Sequence, residues 1–448
     1  MSQLSDKNLA AIYAKRLLEC LSAKPLRPLV ADDSHPALSW AHSGLMSLTG
    51  FADGEPLMCP VAIATCADGA LAALASLAPA DALEGLSGAA LLAERGAIAG
   101  HVRKGTISPG GACRLLQARD GQIALNLARD DDQAILPAWL EDERVVDEAS
   151  MLAAIRETTM HDLVERGRLL GLAVAPVVPP PTATTPWHGV VHVGSRAPRR
   201  SAPRVLDLSS LWAGPLCTHL LHRCAADVVK VESLQRPDGA RRGPSQFFDL
   251  LNAGKRSVVL DLSNEPGRKQ LRAMIAQADI VVEASRPRAL RQMGIHAEKL
   301  IDQFPGLTWI SLNGYGRKEP EENWIAYGDD AGVAAGLSYL MREVTGKAVI
   351  VGDAIADPLT GIHAALAAWA CHQKGGGRLL SLALTNVVRH CIQFDRSINV
   401  EASNQRQQEW TRLAQGQVRA PQMRAARSRA RELGADNEAV FADWRIEC

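Results

Sequence analysis

RVLDLSSLWAGPLCTHLLHRCAADVVKVES, residues 204–233, is the segment from which the architecture follows. RVLDLS is a short apolar run of strand length, WAGPLCTHLLHRC reads as a turn entering a helix with a proline near its start, and DVVKVES is a second strand. Downstream the alternation continues. KRSVVLDLS (255–263) reads as a strand, NEPGRKQLRAMIAQA (264–278) as a helix with Asn264 at its cap, and ADIVVEAS and LTWISLNGYG as further strands. Continuous Val/Ile/Leu strands separated by helices predict a doubly wound, mostly parallel, Rossmann-like α/β sheet, with ligands at the carboxyl ends of its strands.

Upstream the pattern changes. PVVPPPTATTPWHGVVHVGSRAPRRSAP (176–203) is proline-rich and predicts an extended tether. Before it lie helical Ala/Leu-rich segments and one strand-like patch, GQIALNLA, at 121–128. The expected organisation is a smaller α+β domain over 1–175, a linker over 176–203, the large α/β domain over 204–398 and a helical extension over 399–448. Laying SGLMSLTGFADGEPLMCPVAIATCADGALAALA (43–75) on AGLSYLMREVTGKAVIVGDAIADPLTGIHAALA (335–367) without a gap brings Gly44, Leu45, Leu48, Gly54, Ala62 to Ala64, Gly69 and Ala72 to Ala75 onto identical residues. This is an internal repeat, with a degenerate copy of the second region at 36–80. Thr65 then faces Asp357, and Val61 faces Asp353.

With 448 residues, 47% of them hydrophobic, the chain is long enough for a large core, and its 49 basic and 49 acidic side chains leave no net charge. That balance gives no reason to expect nucleic acid or an anionic membrane as partner. The first residues carry charges throughout and no window has eighteen apolar residues, so a cytoplasmic protein is expected. Nine cysteines without a CxxC or zinc spacing read as reduced thiols, and no metal is expected.

Few residues stand out chemically. Asp357, ahead of Pro358, Thr360 and Gly361, has two readings: a helix N-cap, or a carboxylate kept ionised by a helix N-terminus and therefore nucleophilic. Asp353 reads as a solvent-facing or turn residue. The AGP turn at Ala213, Gly214 and Pro215 is a weak phosphate acceptor, Arg286 and Arg288 follow a strand's carboxyl end, and SPGGAC at 108–113 and KGGGR at 374–378 are glycine clusters for which an ordinary turn suffices. His363 is the histidine nearest Asp357 in sequence, and no histidine pairs with aspartate and serine in a catalytic pattern.

RVLDLSSLWAGPLCTHLLHRCAADVVKVE, LNAGKRSVVLDL, PGRKQLRAMIAQADIVVEASRPRALRQMGI and GDAIADPLTGIHAAL together resemble, in order, the blocks of the family III CoA-transferases (the CaiB/BaiF superfamily, with formyl-CoA and carnitine-CoA transferases and α-methylacyl-CoA racemases). The resemblance covers about 203–390. It implies that Asp357 of the D-x-x-T-G motif is the nucleophile of an acyl-CoA:carboxylate CoA-transferase acting through aspartyl anhydride and aspartyl-CoA thioester intermediates. Coenzyme A would be held by Trp212, Ala213, Gly214, Pro215, Arg286 and Tyr315, a loop with Gly110 and Gly111 would close over Asp357, and the protein would form an interlocked homodimer. HVRKGTISPGGACRLLQARDGQIALNLARDDD resembles the family's small-domain segment, which here precedes the large domain in a permuted order. Trp212 stands where formyl-CoA transferases carry glutamine, and Tyr327 where the racemases place their acid/base histidine. Gly328, Ala284, Arg288 and Ser381 replace further residues usual in the family. A racemase-like or other CoA-thioester enzyme, and a catalytically inactive CoA-binding or assembly protein, are the alternative readings.

Overall fold

The computed structural model of the protein describes residues 8–395 and 400–446. The 398/399 boundary and Cys448 lie outside the described residues. In chain order the strands are β1 (Cys113–Gln117), β2 (Gln122–Asn126), β3 (Ala173–Pro176), β4 (Gly189–Val193), β5 (Arg204–Leu208), β6 (Asp227–Ser233), β7 (Arg256–Leu260), β8 (Ile280–Glu283), β9 (Thr308–Asn313) and β10 (Arg378–Ala383). The main sheet runs β4-β10-β9-β8-β5-β6-β7, parallel throughout except for the β4/β10 pair. From β5 the chain winds outward through β6 and β7, then crosses to β8 on the other side of β5. That reversal opens a crevice at the carboxyl ends of β5 and β8, where the AGP turn begins. β1, β2 and β3 form a separate antiparallel sheet.

The helices that build the site are α1 (Leu9–Cys20), α2 (Pro36–His42), α3 (Ile63–Leu77), α4 (Glu94–Ala99), α5 (Ala213–Arg223), α6 (Gly328–Ala334), α7 (Leu337–Thr345), α8 (Ala356–Gln373) and α9 (Leu384–Asp395). α3 and α8 are rich in Ala and Leu and buried on nearly every side, as helices without a polar face must be. Among the described residues no helix is long and apolar enough to cross a membrane.

Two expectations about organisation are corrected. Residues 1–175 are not one small domain: α1, α2 and α3 share a hydrophobic core with α5, α8 and α9, and only the segment from β1 to β3 has a core of its own around Ile123, Leu136, Trp139 and Leu163. Helices this apolar cannot stand apart from the main core. The tether also ends early. Its prolines fall chiefly before Trp187, and the proline-free GVVHV that follows pairs with β10 as the edge strand β4. A smaller departure is that Val349–Val351, strand-like in sequence, is irregular, with the Ile350 N–H donating to the Gly105 carbonyl at 2.9 Å.

The internal repeat is present in three dimensions. In the register of the sequence match, Pro36–His42 (α2) falls residue for residue on Gly328–Ala334 (α6), and α3 starts one residue ahead of α8. Gly44 and Gly336 both turn the chain with positive φ, 88° and 108°. Gly69 and Gly361 serve one purpose: a Cβ on either would come within 2.6 Å of a carbonyl of a crossing helix, Ala10 of α1 or Ala213 of α5. Each copy therefore packs a helix against its glycine, and this correspondence of α1 with α5 extends the repeat beyond what sequence identity showed.

Candidate active site

Asp357 lies in the first turn of α8, whose cap position is Ile355 and whose N-terminus receives no side-chain cap. The N-cap reading is therefore corrected. The carboxylate is partly buried against the Gly328 backbone, so that a Cβ on Gly328 would approach its Oδ2 to 2.6 Å, and the Gly328 N–H is directed at it. Burial raises its proton affinity first of all, and the nearby Asp329 and Asp353 raise it further. Arg95 and the Gly328 N–H work the other way, leaving the group pushed up to about 7. A lowered proton affinity was expected from the helix end; desolvation among other carboxylates outweighs it.

Asp353 is not a surface residue. It is fully buried and takes a two-pronged bond from Arg95, Nε to Oδ2 at 2.8 Å and Nη2 to Oδ1 at 2.5 Å, with His101 Nδ1 at 3.2 Å from Oδ2. Although burial opposes it, this pairing holds the carboxyl well below the usual range. Two more buried carboxyls come from the doublet in YGDDAG. Asp329 accepts the Ala354 N–H at 2.7 Å and fixes the turn leading into α8; burial pushes it up to about 6. Asp330 accepts from Asn126 Nδ2 at 2.8 Å and the Tyr327 N–H at 3.0 Å and is pushed up to about 7, again by burial.

Three elements of the N-terminal half reach this cluster. α4 supplies Arg95, the glycine turn supplies Ser108 and Gly110, and β2 supplies Asn126. A Cβ on Gly110 would stand 3.6 Å from Arg95 Nη2 and 3.7 Å from Asp353 Oδ1, so the loop faces the ion pair. Gly111 has φ 89° and opens onto free space.

The predicted cofactor residues divide. Trp212 is buried, with its ring 5.2 Å below the Arg95 guanidinium and edge-on to Phe247, and this leaves no face for a ligand to stack on. Ala213, Gly214 and Pro215 open α5 at the carboxyl end of β5, with no side-chain cap, and Gly361 of the D-x-x-T-G turn packs on the Ala213 carbonyl. Arg286 is exposed at the start of the helix that follows β8, on the same edge of the sheet. Tyr315 is set apart: its ring meets Trp324, Arg168 lies over both rings, and its hydroxyl is enclosed. His363 is spent in the core, bonded to the Tyr13 hydroxyl and the Leu359 carbonyl at 2.8 Å each. A cavity of about 250 Å³ lined by His219, Arg223 and Arg427 contains none of these residues.

Sequence reading missed Arg95, His101, Asp329 and the role of Gly328. The doublet Asp329-Asp330 inside an apolar run was the available signal, since paired acids there must find buried partners. Arg95 and His101 carried no signal, because their positions depend on how the N-terminal half folds over α8.

Fold and site together define an α/β protein that presents one partly buried carboxylate beside the crevice of a Rossmann-like sheet. The chain belongs to CoA-transferase family III, whose family model matches residues 202–426. It is 31% identical over 174 residues to an acyl-CoA transferase of Fusarium pseudograminearum (36% of this chain, 38% of the relative). It is 33% identical over 196 residues to the formyl-CoA:oxalate CoA-transferase of Rhodopseudomonas palustris (41% and 46%), and 30% over 210 residues to the succinate–glutarate CoA-transferase of Agrobacterium fabrum (43% and 52%). The matched part thus spans about half the length of these relatives or less. Among solved structures, a Mycobacterium tuberculosis protein is similar at 28% identity and TM-score 0.40, covering 44% of this chain and 57% of that one. A CaiB/BaiF family protein from Brucella suis is similar at 25% identity and TM-score 0.38, covering 50% and 60%.

Proposed function

We propose that this chain transfers coenzyme A from an acyl-CoA to a carboxylic acid, with Asp357 as nucleophile. The observation that carries the reading is the Asp357 carboxylate itself: partly open, held on the Gly328 N–H and weakly solvated, its proton affinity raised by burial and by Asp329 and Asp353 and opposed by Arg95. The carboxylate attacks the thioester carbonyl, forming an acyl–aspartyl anhydride and releasing the CoA thiolate. The thiolate then attacks the aspartyl carbonyl, giving an aspartyl-CoA thioester and the free acid of the donor. An acceptor carboxylate repeats the two steps in reverse, and Asp357 leaves the cycle as it entered.

The crevice residues suit the anionic half of CoA. The α5 N-terminus offers uncapped backbone N–H groups, and the exposed Arg286 and Arg288 stand on the same edge of the sheet with no ion-pair partner among the described residues. The eight described cysteines are free thiols, seven of them buried, which supports a reducing, cytoplasmic setting.

Mass spectrometry of the protein incubated with a panel of acyl-CoAs tests the reading. A covalent CoA thioester on Asp357, and loss of donor-to-acceptor exchange in Asp357→Ala, are expected. Full exchange in that variant, or deuterium wash-in at the α-carbon without any acceptor acid, refutes it.

A further inference from the structure

We infer that this chain carries its own second protomer: the N-terminal half takes the part of a partner subunit, and one chain builds one Asp357 site without a second copy.

The grounds are the contacts of the repeat, which are reciprocal as those of an isologous dimer are. α3 packs on α8, and at their meeting point Trp369 Nε1 donates to the Leu77 carbonyl at 3.1 Å; Leu77 and Trp369 are the same position of the repeat. A position that touches its own counterpart lies on a local two-fold axis. Away from that axis the exchange is crossed. After α8, Lys374 Nζ donates to the Leu21 carbonyl at the end of α1 (2.7 Å); at the end of α5, Arg223 Nε donates to the Ala82 carbonyl after α3 (2.9 Å). With α1 matched to α5 and α3 to α8, these join the same two places in each copy, to within one residue, with donor and acceptor exchanged. The turn glycines agree: a Cβ on Gly336 would meet Pro180 at 2.7 Å, and one on Gly44 would press still closer on the Pro421 backbone.

The N-terminal copy is more than ballast. The chain leaving it supplies Arg95, Ser108, Gly110 and Asn126 to the carboxylate cluster around Asp357. Its own nucleophile position holds Thr65, buried and with an unpartnered hydroxyl. One half therefore carries the reacting group and the other closes over it. The interlocked homodimer that the family resemblance implies is, for this site, folded into a single chain.

Two measurements test this. The mass of the full chain in dilute solution, with its thermal midpoint across a hundredfold range of concentration, needs no turnover. A species of 48.0 kDa with a constant midpoint is expected. The second rests on the CoA-transferase reading: Asp357→Ala and Arg95→Ala chains with different tags are co-expressed and assayed for exchange. If each site drew residues from two chains, random pairing would restore about one quarter of wild-type activity; the expected recovery is none. A two-chain species whose midpoint rises with concentration, or recovery near one quarter, overturns the inference. Should wild type show no exchange, the CoA-transferase reading fails and mass and midpoint decide this one.

Discussion

Arg95→Met puts the site's architecture to a quantitative test. Asp353 is fully buried, the Arg95 side chain is 28% exposed, and the pair is joined at 2.5 and 2.8 Å. Removing the cation strands a carboxylate in the core with His101, 3.2 Å away, as its remaining side-chain partner. Breaking a buried pair from one side costs about 3–5 kcal/mol; the partial exposure of Arg95 and the survival of His101 point to the lower end, about 3 kcal/mol. That is roughly a hundredfold in the folding equilibrium. The assay is urea unfolding followed by tryptophan fluorescence at pH 7.5, with the slope required to stay unchanged so that the midpoint reports stability. Adding Asp353→Asn removes the stranded charge, so the double variant is expected to be more stable than Arg95→Met alone, with a coupling of about 2 kcal/mol. Because the folded-state proton affinity of Asp353 lies below its unfolded value, the stability it contributes is present above about pH 4 and is lost as the pH falls further. The gap between wild type and Arg95→Met should close over that range. A loss below about 1 kcal/mol at pH 7.5, or strict additivity in the cycle, would show that Arg95 is a surface residue in effect and refute the reasoning.

Three other outcomes are expected. Exchange should follow an acid limb centred near pH 7, where Asp357 ionises, and fall about tenfold per pH unit below it; a rate that holds down to pH 5 contradicts this. The same raised value means that ionising Asp357 in the folded protein costs stability as the pH rises from about 4 to 7, so Asp357→Asn should be more stable than wild type at pH 8, on the order of 1 kcal/mol once partial exposure is allowed for. A lower urea midpoint for that variant would count against the desolvated carboxylate. Gly361→Ala would drive a Cβ to 2.6 Å from the Ala213 carbonyl, so a stability loss of about 1–3 kcal/mol should come with weakened acyl-CoA binding; calorimetry showing intact affinity would detach the AGP turn from the ligand.

Most of the large domain was legible because its signals are local. β5, β6, β7, β8 and β9 fall on runs of Val, Ile and Leu whose burial on both faces leaves no alternation to misread, and Asn264 caps its helix through the Gly267 N–H as its position suggested. The expectation for Asp357 came from the resemblance to the D-x-x-T-G motif, and the structure gives a reason for that motif's glycine: α5 crosses there at backbone contact. What could not be read depended on distant chain. Asp353 looked like a turn residue because its partners, Arg95 and His101, lie more than two hundred and fifty residues earlier. The extent of the small domain was misjudged for a related reason. Ala-rich helices such as α3 look alike in sequence whether they build a separate domain or complete a shared core, and only packing distinguishes the two.

On the proposed reading, the repeat gives a physical account of why the nucleophile stands in one copy and not in the other. The matched residues are those that set helix packing: Gly69 and Gly361, Gly44 and Gly336, and the Ala/Leu frame of α3 and α8. The divergent positions are those around the carboxylate. Where Gly328 turns its N–H to Asp357, the N-terminal copy has Pro36, which has no N–H to give and suits only a helix's first position. Where α8 carries Thr360, α3 carries Asp68, tied to the Ala89 N–H and the Ser87 hydroxyl at 2.9 and 3.1 Å. A carboxylate at position 65 would thus face a neighbouring acid with no backbone donor to hold it ionised. Position 65 therefore lacks both the carboxylate and the N–H that Asp357 has from Gly328. The shared packing frame still serves the C-terminal copy: it is the scaffold from which Arg95 and Gly110 reach Asp353 and Asn126 reaches Asp330.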